Sequence, residues 1–184
     1  SKKKYKKIYK RSSTRRLVRI IRKEGKKMKR QVLFISSTGG HLDELMQLKP
    51  LFDKYDYHII TEKTKSNLKL KEKYKDKIGF LVYGTKLHKF TYVFKLLYNC
   101  FKSLYFYIKF HPDYIITTGT HTAGPMCCIG KLLGSKIIYI ETFANINTKT
   151  STGKLIYKFA DHFIVQWPSM KKIYPKAIEG GWIY

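Results

Sequence analysis

The chain has 184 residues, with 43% hydrophobic and 15% aromatic content. That supports one domain with a sizeable core and excludes a chain that is disordered throughout. The formal charge of +26 is uneven: residues 1–30 hold sixteen Lys or Arg against one acid, Glu24, so this arm carries +15 and the other 154 residues carry +11.

The arm comes first. Ile8, Leu17, Val18, Ile20 and Ile21 are interleaved with its charges. Leu17, Ile20, Ile21 and Glu24 fall at helical spacing, with Arg15, Arg16, Arg19, Arg22 and Lys23 around them. A basic amphipathic helix of this kind suits an anionic lipid interface. The same charge would also serve nucleic-acid binding or a solvated tail. The arm lacks the apolar core of a cleavable leader.

Short apolar runs and helical patterns then alternate. Strands are expected over 32–35, 57–61, 80–83, 114–118, 136–140 and 162–166. Helices are expected over 42–53, 88–110, 122–133 and 152–160, with 66–76 a helix or a charged loop. Such alternation predicts βαβ units: an α/β, Rossmann-like parallel sheet with helices on both faces. The division is a basic arm over 1–30 and one domain over 31–184.

The segment 88–110 has nine aromatics, with Lys95, Lys102 and Lys109 every seven residues and Asn99 near the same stripe. At about 1.5 Å per residue it would be roughly 34 Å long, enough to cross a bilayer. A lysine stripe argues against spanning. Two readings remain: a helix covering the sheet with one wet face, or an aromatic helix lying in the lipid interface with its lysines at the phosphates. The three cysteines, Cys100, Cys127 and Cys128, form no C-x-x-C pair and read as free thiols.

In a parallel sheet, ligands bind outside the carboxyl ends of the strands. Three loops of small and polar residues fall there. Residues 36–41 include Ser37, Thr38, Gly39, Gly40 and His41; residues 117–124 include Gly119, Thr120 and His121; residues 141–145 begin with Glu141. Two glycine-and-hydroxyl turns that lead into helices, with a carboxylate nearby, suggest a diphosphate cradle; the alternative is ordinary polar loops. His41 or Glu141 could take a hydroxyl proton, and His121 could donate to phosphate. The chain has no Walker motif, no full G-x-G-x-x-G, no D-x-D and no zinc spacing. Neither a metal nor a cofactor is therefore expected.

Six motifs in order carry a resemblance: Ser-Ser-Thr-Gly-Gly-His-Leu (36–42), Pro-Asp-Tyr-Ile-Ile-Thr-Thr-Gly-Thr (112–120), Ile-Tyr-Ile-Glu-Thr-Phe-Ala (138–144), Thr-Gly-Lys-Leu-Ile-Tyr (152–157), Ala-Asp-His-Phe-Ile-Val-Gln-Trp (160–167) and Gly-Gly-Trp-Ile-Tyr (180–184). Residues 31–184 resemble the PssD/CpsF-type polysaccharide biosynthesis proteins. They are similar to the membrane-anchor subunit of the dolichol-pathway UDP-GlcNAc transferase and, more distantly, to the N-terminal half of MurG.

The resemblance implies the acceptor-side half of a split, inverting, metal-independent GT-B glycosyltransferase, inactive alone. Its partner would be a PssE-like subunit that binds the UDP-sugar. Its setting would be exopolysaccharide or capsule biosynthesis at the cytoplasmic face of the membrane, peripheral or monotopic. It assigns residues 37–41 and 119–121 to the diphosphate of a polyprenyl-linked sugar acceptor, with His41 the first candidate base and Glu141 the second. The arm and the three lysines would hold anionic lipid. Trp182, Ile183 and Tyr184 are too apolar for a free tail and should pack on the partner or back on this domain. The alternative is a non-catalytic membrane anchor that enhances its partner. A nucleic-acid partner is not expected, because the loop motifs would serve no purpose there.

Overall fold

The computed structural model describes residues 30–84 and 89–183. Arg15, Arg16, Arg19 and Arg22 of the arm, and Tyr184, lie outside these residues. Seven strands make one sheet: β1 (Gln31–Ile35), β2 (Asp56–Lys63), β3 (Ile78–Val82), β4 (Tyr114–Thr117), β5 (Lys136–Ile140), β6 (His162–Val165) and β7 (Ile178–Glu179). Their order is β3-β2-β1-β4-β5-β6-β7, and every pairing is parallel. The helices are α1 (Gly40–Met46), α2 (Lys65–Tyr74), α3 (Lys89–Phe110), α4 (Ala123–Leu132) and α5 (Ser151–Ile156).

Alternate residues of each strand feed two separate cores. Val32, Phe34, Ile59, Ile116 and Ile140 pack with Leu45, Leu48, Leu51, Phe52 and Tyr74, contributed by α1, the segment after it and α2. Leu33, Ile35, Ile60, Ile115 and Tyr139 face the other way, onto Phe106, Tyr107, Met126, Cys127 and Ile156 of α3, α4 and α5. Burial on both faces is why these strands are unbroken apolar runs.

The structure differs from the sequence expectation at several ends. The helix expected over 42–53 stops at Met46 and gives way to a 3-10 turn, Lys49–Leu51. Pro50 lacks the N–H that a continuing helix needs. The helix expected over 152–160 covers only Ser151–Ile156, with Thr150 Oγ1 accepting the Gly153 N–H at 2.9 Å as its cap. The two-residue β7 is too short to show a period. β2 runs past Thr61 to include Glu62 and Lys63.

Asn99 faces the sheet rather than the lysine stripe. Its Oδ1 accepts the Val82 N–H at 2.8 Å and its Nδ2 donates to the Val82 carbonyl at 2.8 Å. One buried side chain thus pairs both main-chain groups of a residue in the edge strand. The outward face of α3 is different. Val93, Phe94, Leu97, Tyr98, Phe101, Leu104, Tyr105 and Ile108 are all exposed, Phe94 by 70% and Phe101 by 66%. At 3.6 residues per turn they span an arc of roughly 140°, and Lys95, Lys102 and Lys109 run along one border. The Lys102 ammonium lies 5.8 Å from the Tyr98 ring and that of Lys109 lies 5.5 Å from the Phe110 ring. Exposed Leu132 and Leu133 stand at the end of α4, which packs on α3. Among the described residues, no helix is long and apolar enough to cross a membrane.

Candidate functional site: a crevice where the strand order reverses

The chain winds outward in one direction from β1 and in the other from β4. At such a reversal, loops leaving the carboxyl ends of the neighbouring strands run in opposite directions, which is where open α/β sheets form a ligand crevice. β1 delivers residues 36–41 and β4 delivers residues 118–122.

Gly39 has φ 72° and ψ −145°, a conformation open in practice only to glycine. A Cβ at Gly39 or Gly40 would meet nothing within 4 Å, so the turn faces open space. The first N–H groups of a helix have no intrahelical partner, and here they belong to the start of α1. The other loop also holds unusual backbone. Gly119 has φ 104°, and Thr120 has φ 76° without being glycine. A left-handed β-branched residue costs on the order of 1–3 kcal/mol, and such strain concentrates at working sites. Among the described residues, Thr120 Oγ1 is buried with no hydrogen-bond partner.

The two loops are tied to each other. His41 Nδ1 lies 2.9 Å from the Thr118 carbonyl oxygen, and Thr118 Oγ1 donates to the His41 carbonyl at 2.7 Å. A carbonyl only accepts, so Nδ1 carries the hydrogen, and in the neutral ring the lone pair is on Nε2. Behind them, Glu62 accepts the Thr38 N–H at 3.2 Å and the Thr122 hydroxyl at 2.6 Å.

The other expected site residues are less free. Ser37 is 6% exposed, and its hydroxyl donates to the Thr38 carbonyl at 3.3 Å. His121 Nε2 lies 3.2 Å from the Gly84 carbonyl, with the Tyr92 ring 5.4 Å away. Donation from His121 to phosphate therefore falls to Nδ1, which carries a hydrogen only in the imidazolium. Glu141 is 1% exposed, with Thr150 Oγ1 at 3.4 Å from both its carboxylate oxygens and the Thr142 N–H at 3.2 Å. Burial pushes its pKa up, against the hydrogen bond from the Thr142 amide, which pulls it down. It lies buried behind the third loop, whereas the His41 ring is at the crevice. Of the two candidate bases, His41 is half-buried and Glu141 fully buried.

Two carboxylates in this region escaped the sequence reading. Glu44 of α1 is 2% exposed and accepts the Thr142 hydroxyl at 2.7 Å and the Phe143 N–H at 3.0 Å, tying the third loop to α1. Glu62 lies one residue beyond the strand expected over 57–61. Carrying the period-two alternation past Ile60 would have put Glu62 on the same face. Ile183 packs back on its own domain: it is 4% exposed and its N–H donates to Gln166 Oε1 at 3.0 Å. Trp182 is half-buried, 5.5 Å from the Phe143 ring and 5.2 Å from the Trp167 ring. Lys95, Lys102 and Lys109 stand on α3. Among the described residues, no cluster of His, Cys, Asp and Glu could hold a metal ion.

A parallel α/β sheet whose strand order reverses between β1 and β4 defines a class, the Rossmann-like doubly wound domain. The chain superposes on Acinetobacter baumannii MurG with a TM-score of 0.62 at 17% identity, covering 76% of this chain and 42% of that one. On the UDP-N-acetylglucosamine 2-epimerase of Rickettsia bellii the TM-score is 0.63 at 13% identity, covering 80% and 42%. In both, the chain spans less than half of the solved protein. Within that class, residues 31–183 match the family described as "Oligosaccharide biosynthesis protein Alg14 like", and the chain belongs to it.

Relatives named "UDP-N-acetylglucosamine transferase subunit ALG14" include that of Mus musculus, 26% identical over 174 residues and 80% of each chain. That of Kluyveromyces lactis is 28% identical, covering 83% of this chain and 78% of its own. That of Rattus norvegicus is 34% identical over 92 residues, or 47% of this chain and 43% of its own. The expected likenesses to this transferase subunit and to MurG are thus found.

Proposed function

We propose that this chain is the membrane-associated, acceptor-side subunit of a two-chain UDP-sugar glycosyltransferase. Its partner is a PssE-like donor-binding subunit, and its setting is exopolysaccharide or capsule assembly at the cytoplasmic face of the membrane. One observation carries the reading: residues 31–183 match the Alg14-like family, and a relative named as a UDP-N-acetylglucosamine transferase subunit is covered to 80% of its own length.

The crevice loops take the diphosphate of a polyprenyl-linked sugar. The amides at the start of α1 and the backbone around Gly119 and Thr120 face its charge. The Thr118 carbonyl holds the His41 Nδ1–H, so Nε2 is the basic atom. The acceptor hydroxyl gives its proton to Nε2. Its oxygen bonds to the anomeric carbon of the donor sugar, and the bond from that carbon to UDP breaks with inversion, the electron pair leaving on UDP. The apolar face of α3 rests in the lipid interface with Lys95, Lys102 and Lys109 at the phosphates. The basic arm, through Arg15, Arg16, Arg19 and Arg22, adds attraction of about 1 kcal/mol per engaged charge.

The test is radiolabelled transfer from a panel of UDP-sugars to undecaprenyl-diphosphate-sugar. Membranes would hold this chain, the partner, both, or both with His41→Ala. Activity should need both chains and vanish in the variant, which still binds membranes and partner. Activity of the partner alone, merely boosted by this chain, would make the protein an anchor and enhancer and would remove His41 from the chemistry.

A further inference from the structure

We propose that Glu62 is a positioning residue: its buried carboxylate clamps the two crevice loops so that the His41 ring stays docked on Thr118. Its effect on turnover rests on the reading of His41 as base; its effect on the ring does not.

β1 lies between β2 and β4 in the sheet, so Glu62 at the end of β2 reaches past β1 to Thr122 at the start of α4. It is 1% exposed. A carboxylate so placed needs donors to stand in for water. It takes one from each loop, the Thr38 N–H at 3.2 Å and the Thr122 hydroxyl at 2.6 Å, the second a short, charge-assisted bond. Among the described residues, none of the ion pairs includes Glu62, in a chain of net charge +26.

Thr38 is three residues from His41 and Thr122 is four from Thr118. The Glu62 tie therefore acts behind the His41–Thr118 pair, on the same two loops. The second loop carries strained backbone between its ties, Thr120 at φ 76°, whereas the first turns without strain through Gly39 at φ 72°. With the rear tie cut, the His41–Thr118 pair is left as the direct tie between the two loops named here, and the ring is held less firmly on its acceptor. The carboxylate also helps hold the Tyr92 phenol above its ordinary pKa, after burial, and Tyr92 packs against His121.

A glutamine can keep both contacts. Its oxygen accepts from Thr38 and its amide donates to the Thr122 oxygen. Alanine keeps neither, and Thr122→Val removes one donor with little change of shape. The experiment reads the side-chain 15N shifts of His41 in the full-length, histidine-labelled chain and, alongside, turnover of the reconstituted pair.

Wild type and Glu62→Gln should show the Nδ1–H tautomer, and Glu62→Ala and Thr122→Val a mixture of tautomers. In the pair, kcat should fall about 30- to 100-fold in Glu62→Ala with acceptor KM within threefold, and Glu62→Gln should keep at least a third of kcat. An unchanged tautomer in Glu62→Ala, or a raised KM at constant kcat, overturns the inference. If Glu62→Ala does not fold, unchanged shifts in Thr122→Val overturn it instead. An inactive wild-type pair, or an active His41→Ala pair, would sink the base assignment while the shifts still decide the role of Glu62.

Discussion

The outward face of α3 offers the sharpest quantitative test. Phe94 and Phe101 stand 70% and 66% exposed, one above the other two turns apart. A Phe side chain carries roughly 200 Å², so about 130–140 Å² of each meets water. At about 25 cal/mol per Å², complete withdrawal into lipid would yield roughly 3 kcal/mol per ring. A helix lying half-sunk in the interface would gain about half of that, or roughly tenfold in partitioning per ring and about 100-fold for both. The perturbation is Phe94→Ser with Phe101→Ser in the full-length chain, and the assay is co-sedimentation with phosphatidylglycerol vesicles. At about 0.5 M salt the pull of the basic arm is largely screened, which leaves the apolar term exposed to measurement. Folding should hardly change, within about 0.5 kcal/mol in urea, because neither ring is buried in the free domain. Binding at high salt equal to that of wild type would refute the reasoning and turn this face toward a protein partner.

Three further outcomes follow from particular contacts. Asn99→Ala strips both partners from Val82 and should cost about 2 kcal/mol in urea unfolding; a loss under about 0.5 kcal/mol would mean that water replaces the amide. Gly39→Ala meets no steric obstacle, so its cost is the backbone strain alone, about 1–3 kcal/mol in thermal melts and a loss of turnover. Burial raises the native pKa of Glu141, so its contribution to stability is fullest below its ordinary 4.5 and is lost as pH rises through the native value. Glu141→Gln should therefore melt above wild type at pH 7.5 and close to it near pH 4.5; the reverse order would contradict that sign.

Hydropathy period and turn chemistry are local, and whatever depends on them is legible before the chain folds. The alternation of apolar runs with helical patterns led to the α/β class, to six of the seven strands and to the parallel sheet. The small-residue turns around Gly39 and Gly119 marked both crevice loops, because a positive φ has to be written as glycine at most positions. The length of α3 and its lysine period were equally legible. Tertiary structure decided whatever depends on partners far along the chain. His41 meets Thr118 across 77 residues, and Glu62 meets Thr122 across 60. No local pattern says which ring nitrogen is held or which acids are buried. Glu44, Glu62 and Glu141 are chemically ordinary glutamates, and each is under 3% exposed because remote segments supply donors that replace water. The inward turn of Asn99, the return of Ile183 to the core and the uncovered face of α3 have the same origin: burial is a property of the assembled surface, not of the residue that is buried.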